Sequence, residues 1–327
     1  MDNNMIDKGA RIKKLALDYA VYVLIIAVVI VYSSLTPLFL SVTNIKALFT
    51  NSSALMVAAV GMTFVLLIAE IDLSVGSVAG VAGAVWIMFM ARQGLGMGIG
   101  VATAAAIATG VIIGAFNGFL VVGLKINSFL ATLGMQIFLR GFVYIITGGS
   151  QVLVPKAAKA VIGTQIFGGI SPLVILSVLI CVAMMLVYKF TGFGRKVQAV
   201  GCNRPAAAKV GIKVDKVRFM VFVLCGLFAA VAGIFQVSNV GMVNPSNVGD
   251  GLEFLAITAA VLGGTSLLGG VGTFVPGTLV GVLFLMCIEN GLGLLGANPY
   301  LYPIVRGVVI YLAMLSDSLK RSIGKRS

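Results

Sequence analysis

Glu70, Asp72, Arg140, Glu253, Glu289 and Arg306 stand inside or at the edges of long apolar runs. A charge there is costly, so each marks either a working position or a specific partner. Glu70 and Asp72 share the stretch AEIDLSVGS, residues 69–77, between two apolar runs. A carboxylate at that place suits ion coupling in a secondary transporter. Equally, Asp72 could accept backbone N–H bonds as the N-cap of the following helix. Glu289 and Arg306 flank a short connection, and an ion pair that pins it is the expected use of both. The chain has no histidine and no GxxxxGK[ST] loop. It therefore lacks an imidazole base, ligand or proton relay, and it has no P-loop of its own for ATP. No nucleophile–base pair or metal-ligand spacing supports a membrane-embedded enzyme. Cys181, Cys225 and Cys287 fall in apolar runs and Cys202 in a basic loop, with no disulfide or metal spacing.

The sharpest local pattern is Asn-Arg-Pro-Ala-Ala-Ala-Lys-Val-Gly at 203–211. Asn203 suits an N-cap and Pro205 a first helical turn. Ala206, Ala207, Ala208 and Lys209 suit a helix interior, and Gly211 the left-handed C′ position. The pattern predicts a two-turn helix in a basic loop. Positive charge alone would serve a loop that only meets anionic lipid, so the capped helix reads as a docking element.

The elements that position these residues follow from composition. With 60% apolar and 10% charged residues among 327, and a mean hydropathy of +1.11, most of the chain must lie in lipid. Crossing a bilayer takes about 20 apolar helical residues. Apolar runs predict an all-α, polytopic protein of about ten transmembrane helices near 17–33, 52–69, 74–90, 99–122, 129–146, 171–189, 217–237, 253–263, 273–294 and 302–319. The eighth run is too short to span alone and needs a broken helix or its flanks. The first run reads as an uncleaved span, because residues 33–40 offer no small-residue cleavage site. The formal charge of +13 points to membrane topology rather than nucleic acid. With the N-terminus inside, Lys8, Arg11, Lys13, Lys14, Lys125, the eight basic residues from Lys189 to Arg218, Lys320, Arg321, Lys325 and Arg326 face the cytoplasm. Only Lys46, Arg92, Lys156 and Lys159 fall outside, so the positive-inside rule places both termini in the cytoplasm. The whole chain reads as one transmembrane domain, with a cytoplasmic segment 1–16, a cytoplasmic loop 190–216 and a cytoplasmic tail 320–327.

Small residues spaced by four, Gly76 with Gly80 and Gly110 with Gly114, predict close helix packing. Asn117, Gly118, Gly123 and Gly134 recur as Asn290, Gly291, Gly296 and Gly307 at an offset of 173, as do Val75 and Gly76 as Val248 and Gly249. Helices two to five and seven to ten are therefore expected to form an inverted repeat.

Three stretches carry a resemblance over nearly the whole chain: IDLSVGS at 71–77, GRKVQAVGCNRPAAAKVGI at 194–212 and AITAAVLGGTSLLGGVGTFVPGT at 256–278. Together they resemble the permeases of ribose-type ABC importers, which also carry xylose, galactosides and related sugars. The resemblance implies a type II importer fold in a prokaryotic cell membrane, importing a monosaccharide, either a ribose-like pentose or a hexose. It also implies a separate P-loop ATPase that holds ATP and Mg, an extracytoplasmic sugar-binding protein, and a second permease subunit, identical or paralogous. No cofactor is expected on this chain. Residues 203–211 would be the coupling helix seated in the ATPase, and the loops at 147–170 and 238–252 would receive the binding protein. Asp72, Ser74, Asn117, Asn127 and Ser266 are the candidates for weak polar contacts along the path, with packing the competing role for each. The alternatives are an ion-coupled secondary transporter, or an ABC permease for a nucleoside or a branched-chain amino acid.

Overall fold

The computed structural model describes residues 21–91, 95–156, 158, 169–298 and 300–324. Lys8, Arg11, Lys13, Lys14, Arg92, Lys159, Lys325 and Arg326 lie outside the described residues. In chain order the apolar helices are α1 (Val21–Leu35), α2 (Val42–Leu67), α3 (Val75–Met90), α4 (Ile99–Gly118), α5 (Ser128–Thr147) and α6 (Pro172–Phe190). Two short helices follow, α7 (Gly192–Cys202) and α8 (Arg204–Lys209). Then come α9 (Val214–Val240), α10 (Leu252–Leu262), α11 (Leu279–Leu294) and α12 (Leu301–Gly324). A π-helical turn, Phe119–Gly123, extends α4, and another, Phe274–Thr278, leads into α11. Among the described residues six helices are long and apolar enough to cross a membrane, and four shorter apolar helices stand at the remaining expected places.

The ten apolar helices fall where the hydropathy pattern puts them, with one clear correction. α2 starts at Val42, not near 52, and is capped by Ser41, whose side chain accepts the Asn44 N–H. Thr50, Asn51, Ser52 and Ser53 read as a boundary, but the hydroxyls fold back onto helix carbonyls: Thr50 on Lys46, Ser52 on Leu48 and Ser53 on Thr50. Satisfied in this way, polar residues no longer oppose burial. Asn44 pairs amide to amide with Asn290 of α11 at 2.8 and 2.9 Å. At 26 residues α2 is about 39 Å long, more than a bilayer core requires.

The core is built on α2 and α9, which pack on each other. Shifting α2–α5 by 173 residues reproduces the bounds of α9–α12, with the π turns included, to within four residues. The packing repeats as well. α3 and α4 lie on α9 as α10 and α11 lie on α2, α3 meets α4 and α5, and α10 meets α11 and α12.

Glycine sets the closest approaches. A β-carbon on Gly110 would overlap the carbonyl of Gly226, and one on Gly226 would overlap that of Gly110, so α4 and α9 touch backbone to backbone. α1 packs through Val28 and Tyr32 around Cys287 of α11, whereas α6 presents Leu179, Leu186 and Phe190 outward, as a lipid-facing helix should. The eleven residues of α10 make only about 16 Å of helix. As expected, this eighth helix cannot span alone; turns at 244–251 and the irregular stretch 263–273 complete its course.

Candidate functional site

Polar side chains gather at three levels. At one end of the bundle α8 forms as its sequence requires: Asn203 accepts the Ala206 N–H at 3.0 Å, and Gly211 adopts φ +84°. Pro205, Ala206, Ala208 and Lys209 are exposed, and Val210, just beyond the last turn, is 76% exposed. Ala207 faces inward and is buried. Six residues make too little surface to fold alone, and α8 is held by its neighbours. Arg204 Nη2 donates to the carbonyls of Ile68 and Ala69 and to Glu70 Oε1 at 2.8, 3.3 and 2.7 Å. Arg218 of α9 donates to the same Glu70 oxygen through Nε and Nη2. An open cavity of about 350 Å³ adjoins this cluster, lined among others by Glu70, Lys125, Asn127, Arg204, Asp215 and Arg218.

Deeper in, the stretch between α2 and α3 is tied down residue by residue. Asp72 Oδ1 accepts from the Ser74 N–H at 2.9 Å and from its hydroxyl at 2.6 Å, and Asn117 of α4 donates to Ser74 Oγ at 2.8 Å. All three are buried. Asp72 therefore serves the start of α3, but it bonds the N-cap residue Ser74 rather than acting as the cap itself. Asp72, Ser74 and Asn117 form one cluster. The other two path candidates stand apart from it. Asn127 is exposed at the cavity rim and caps α5 by accepting the Phe129 N–H, and Ser266 accepts the Leu268 N–H within the 263–273 loop.

Sequence reasoning singled out Arg140 and Glu253 but missed Ser128, Thr132 and Gln136, which brace this region with them. Ser128, Thr132, Gln136 and Arg140 follow one another at intervals of four, which puts them on one face of α5. Ser128 accepts from the Ile71 N–H and Thr132 from the Leu73 N–H. Gln136 donates to Glu253 Oε1 at 2.7 Å, and Arg140 donates to the Val248 carbonyl and to Asp250. That spacing was the available signal: a polar stripe on an apolar helix has to meet polar backbone. Glu253 is 1% exposed, and its Oε2 has no hydrogen-bond partner among the described residues.

At the opposite end Val152 and Leu153 (β1) pair antiparallel with Met242 and Val243 (β2), so the two loops expected to receive a binding protein are joined. Glu289 and Arg306 meet there, with Nε 2.5 Å from Oε1 across the connection between α11 and α12. The four cysteines are free, three of them buried.

Comparison with known proteins relates the sequence to membrane transport proteins. The chain is 38% identical over 306 residues to the ribose import permease protein RbsC of Escherichia coli K12, covering 91% of this chain and 92% of that one. It is 34% identical to the RbsC of Haemophilus influenzae, over 94% and 95% of the two chains. It is also 34% identical to the autoinducer 2 import system permease protein LsrC of Yersinia pseudotuberculosis, over 88% and 81%. No solved structure matches the chain. The profile of the family described as "Branched-chain amino acid transport system / permease component" matches residues 44–314, and the chain belongs to that family of membrane permeases.

Proposed function

We propose that this protein is the membrane-spanning permease subunit of an ABC importer that carries a monosaccharide, a ribose-like pentose or a hexose, into the cytoplasm. The observation that carries the reading is similarity along nine-tenths of both chains to a ribose import permease. An amino-acid substrate, suggested by the family description, has less support, because these end-to-end relatives are permeases for ribose and autoinducer 2. The ion-coupled alternative has less support, since both of its candidate carboxylates are engaged, Asp72 by Ser74 and Glu70 by Arg204 and Arg218.

In this reading α8 lies on the cytoplasmic side and docks on a separate ATPase through Pro205, Ala206, Ala208, Lys209 and Val210. ATP and Mg sit on that subunit, and this chain does no covalent chemistry. ATP-driven approach of the docked helices switches two permease subunits between outward-open and inward-open arrangements. A sugar-binding protein delivers its cargo to the β1–β2 end, and Asp72, Ser74 and Asn117 organise the core beside the path. Both termini are cytoplasmic.

The test is affinity purification in mild detergent with mass spectrometry of the co-purifying chains, then ATPase assay and uptake of radiolabelled D-ribose in proteoliposomes. Recovery of a P-loop ATPase and ATP-dependent ribose uptake is the expected result. Purification without an ATPase, or uptake of leucine in place of sugar, would overturn it. The same experiment shows whether the second permease subunit is another copy of this chain.

A further inference from the structure

We infer that Glu70 is the joint through which movement of α8 reaches the transmembrane core, which makes Glu70 and Arg204 positioning residues for translocation. The inference rests on α8 being the ATPase-docking helix.

Three elements meet on one carboxylate oxygen. Glu70 Oε1 accepts from Arg204 of α8 and from Arg218 of α9, and its own backbone continues from α2. The carboxylate is 7% exposed, so these charge-assisted bonds are poorly screened and directional. Arg204 also donates to the Ile68 and Ala69 carbonyls. α2 ends at Leu67 with no basic residue in its last turn. The cation that answers the negative end of its dipole comes from α8, far along the chain. Bare backbone completes the seat. A β-carbon on Gly201 of α7 would overlap the Leu67 carbonyl, and that carbonyl accepts the Gly270 N–H at 2.9 Å. Lacking any side-chain cushion, α7 and α8 must carry the end of α2 with them.

From Glu70 the route inward is short and stiff. Ala69 stands at φ +57°, a left-handed conformation unfavourable for alanine, which turns the chain sharply. Ile71 and Leu73 are bonded to α5 through Ser128 and Thr132, and Asp72 fixes Ser74 at the head of α3. Two residues further on, Gly76 lies directly on Gly249 of the second repeat. A displacement of Arg204 thus reaches the contact between the two halves through a segment without slack.

Arg204 makes all three of its contacts through Nη2. A lysine ammonium, a point charge, can replace it, whereas alanine cannot. The experiment compares Glu70→Gln, Arg204→Ala and Arg204→Lys with wild type, as complete transporter with its ATPase in proteoliposomes. Uptake of D-ribose is read together with stimulation of ATP hydrolysis by the binding protein, a readout independent of which sugar is carried. Glu70→Gln and Arg204→Ala are expected to keep the ATPase bound and hydrolysing. Each should lose about tenfold or more of the uptake per ATP hydrolysed, and most of the stimulation. Arg204→Lys should recover most of both. If uptake and hydrolysis fall in proportion with loss of the bound ATPase or of thermal stability, the cluster is a static cap and the inference is overturned. Unchanged uptake per ATP and unchanged stimulation overturn it as well. Failure of the docking reading shows separately, as an ATPase that stays bound to a Val210→Asp variant.

Discussion

Gly76 and Gly249, equivalent positions of the two repeats, lie face to face, and a β-carbon on either would overlap the carbonyl oxygen of the other. The head of α3 and the turn before α10 therefore cross at the contact between the halves. A discontinuous helix at such a crossing can shift without unravelling a full span. Gly76→Ala and Gly249→Ala should each cost about 1–3 kcal/mol by overpacking. Gly249→Ala should be the worse, because its φ of +69° penalises any side chain. Gly134→Ala, with open space around its α-carbon, should be neutral. Thermal unfolding of the purified variants in detergent checks the order.

The exposed face of α8, proposed above to dock on the ATPase, is narrower than its alanine content suggests. Ala207 is buried, whereas Val210 is 76% exposed. Val210→Asp should abolish co-purification of the ATPase with no loss of thermal stability. Ala207→Glu should lower stability itself and so cannot report on docking. Both are read from one pull-down and one melting curve per variant.

The polar stripe of α5 gives a sharper energetic test. Gln136→Leu leaves Glu253 without its donor in a buried site, at a cost of about 1–3 kcal/mol. Adding Glu253→Leu removes the stranded carboxylate and should recover most of the loss. A double-mutant cycle in thermal stability that shows simple additivity would contradict the pairing.

Glu289 and Arg306 bridge the α11–α12 connection while part-exposed. Glu289→Gln should cost about 1 kcal/mol or less. Exchanging the two charges, Glu289→Arg with Arg306→Glu, should be milder than either reversal alone, as measured by the yield of monodisperse protein.

The register of β1 on β2 predicts that Val152→Cys with Val243→Cys, in a chain whose four native cysteines are replaced by serine, forms a disulfide under mild oxidation. Val152→Cys with Asn247→Cys should not. Mobility on non-reducing gels distinguishes the two.

Much of this architecture follows from local chemistry. Apolar runs locate ten helices because lipid leaves the backbone little choice but to bond within each segment. Asn203, Pro205 and Gly211 delimit α8 because caps act within one or two turns. The offset of 173 between Asn117 and Asn290, or Gly76 and Gly249, exposes the repeat because equivalent positions make equivalent close approaches. Which side chains meet is another matter. The start of α2 was hidden because Ser52 and Ser53 bond their own helix, a choice that depends on burial and not on composition. Glu70 and Asp72 are two residues apart and equally acidic, yet one takes two arginines from remote helices and the other a neighbouring serine. Arg204, Arg218 and Glu253 find their partners across more than a hundred residues. Such pairs follow from the order in which helices pack around α2 and α9, where dispersion and backbone contact between glycines decide, and a one-dimensional pattern of apolar residues is nearly indifferent to that order.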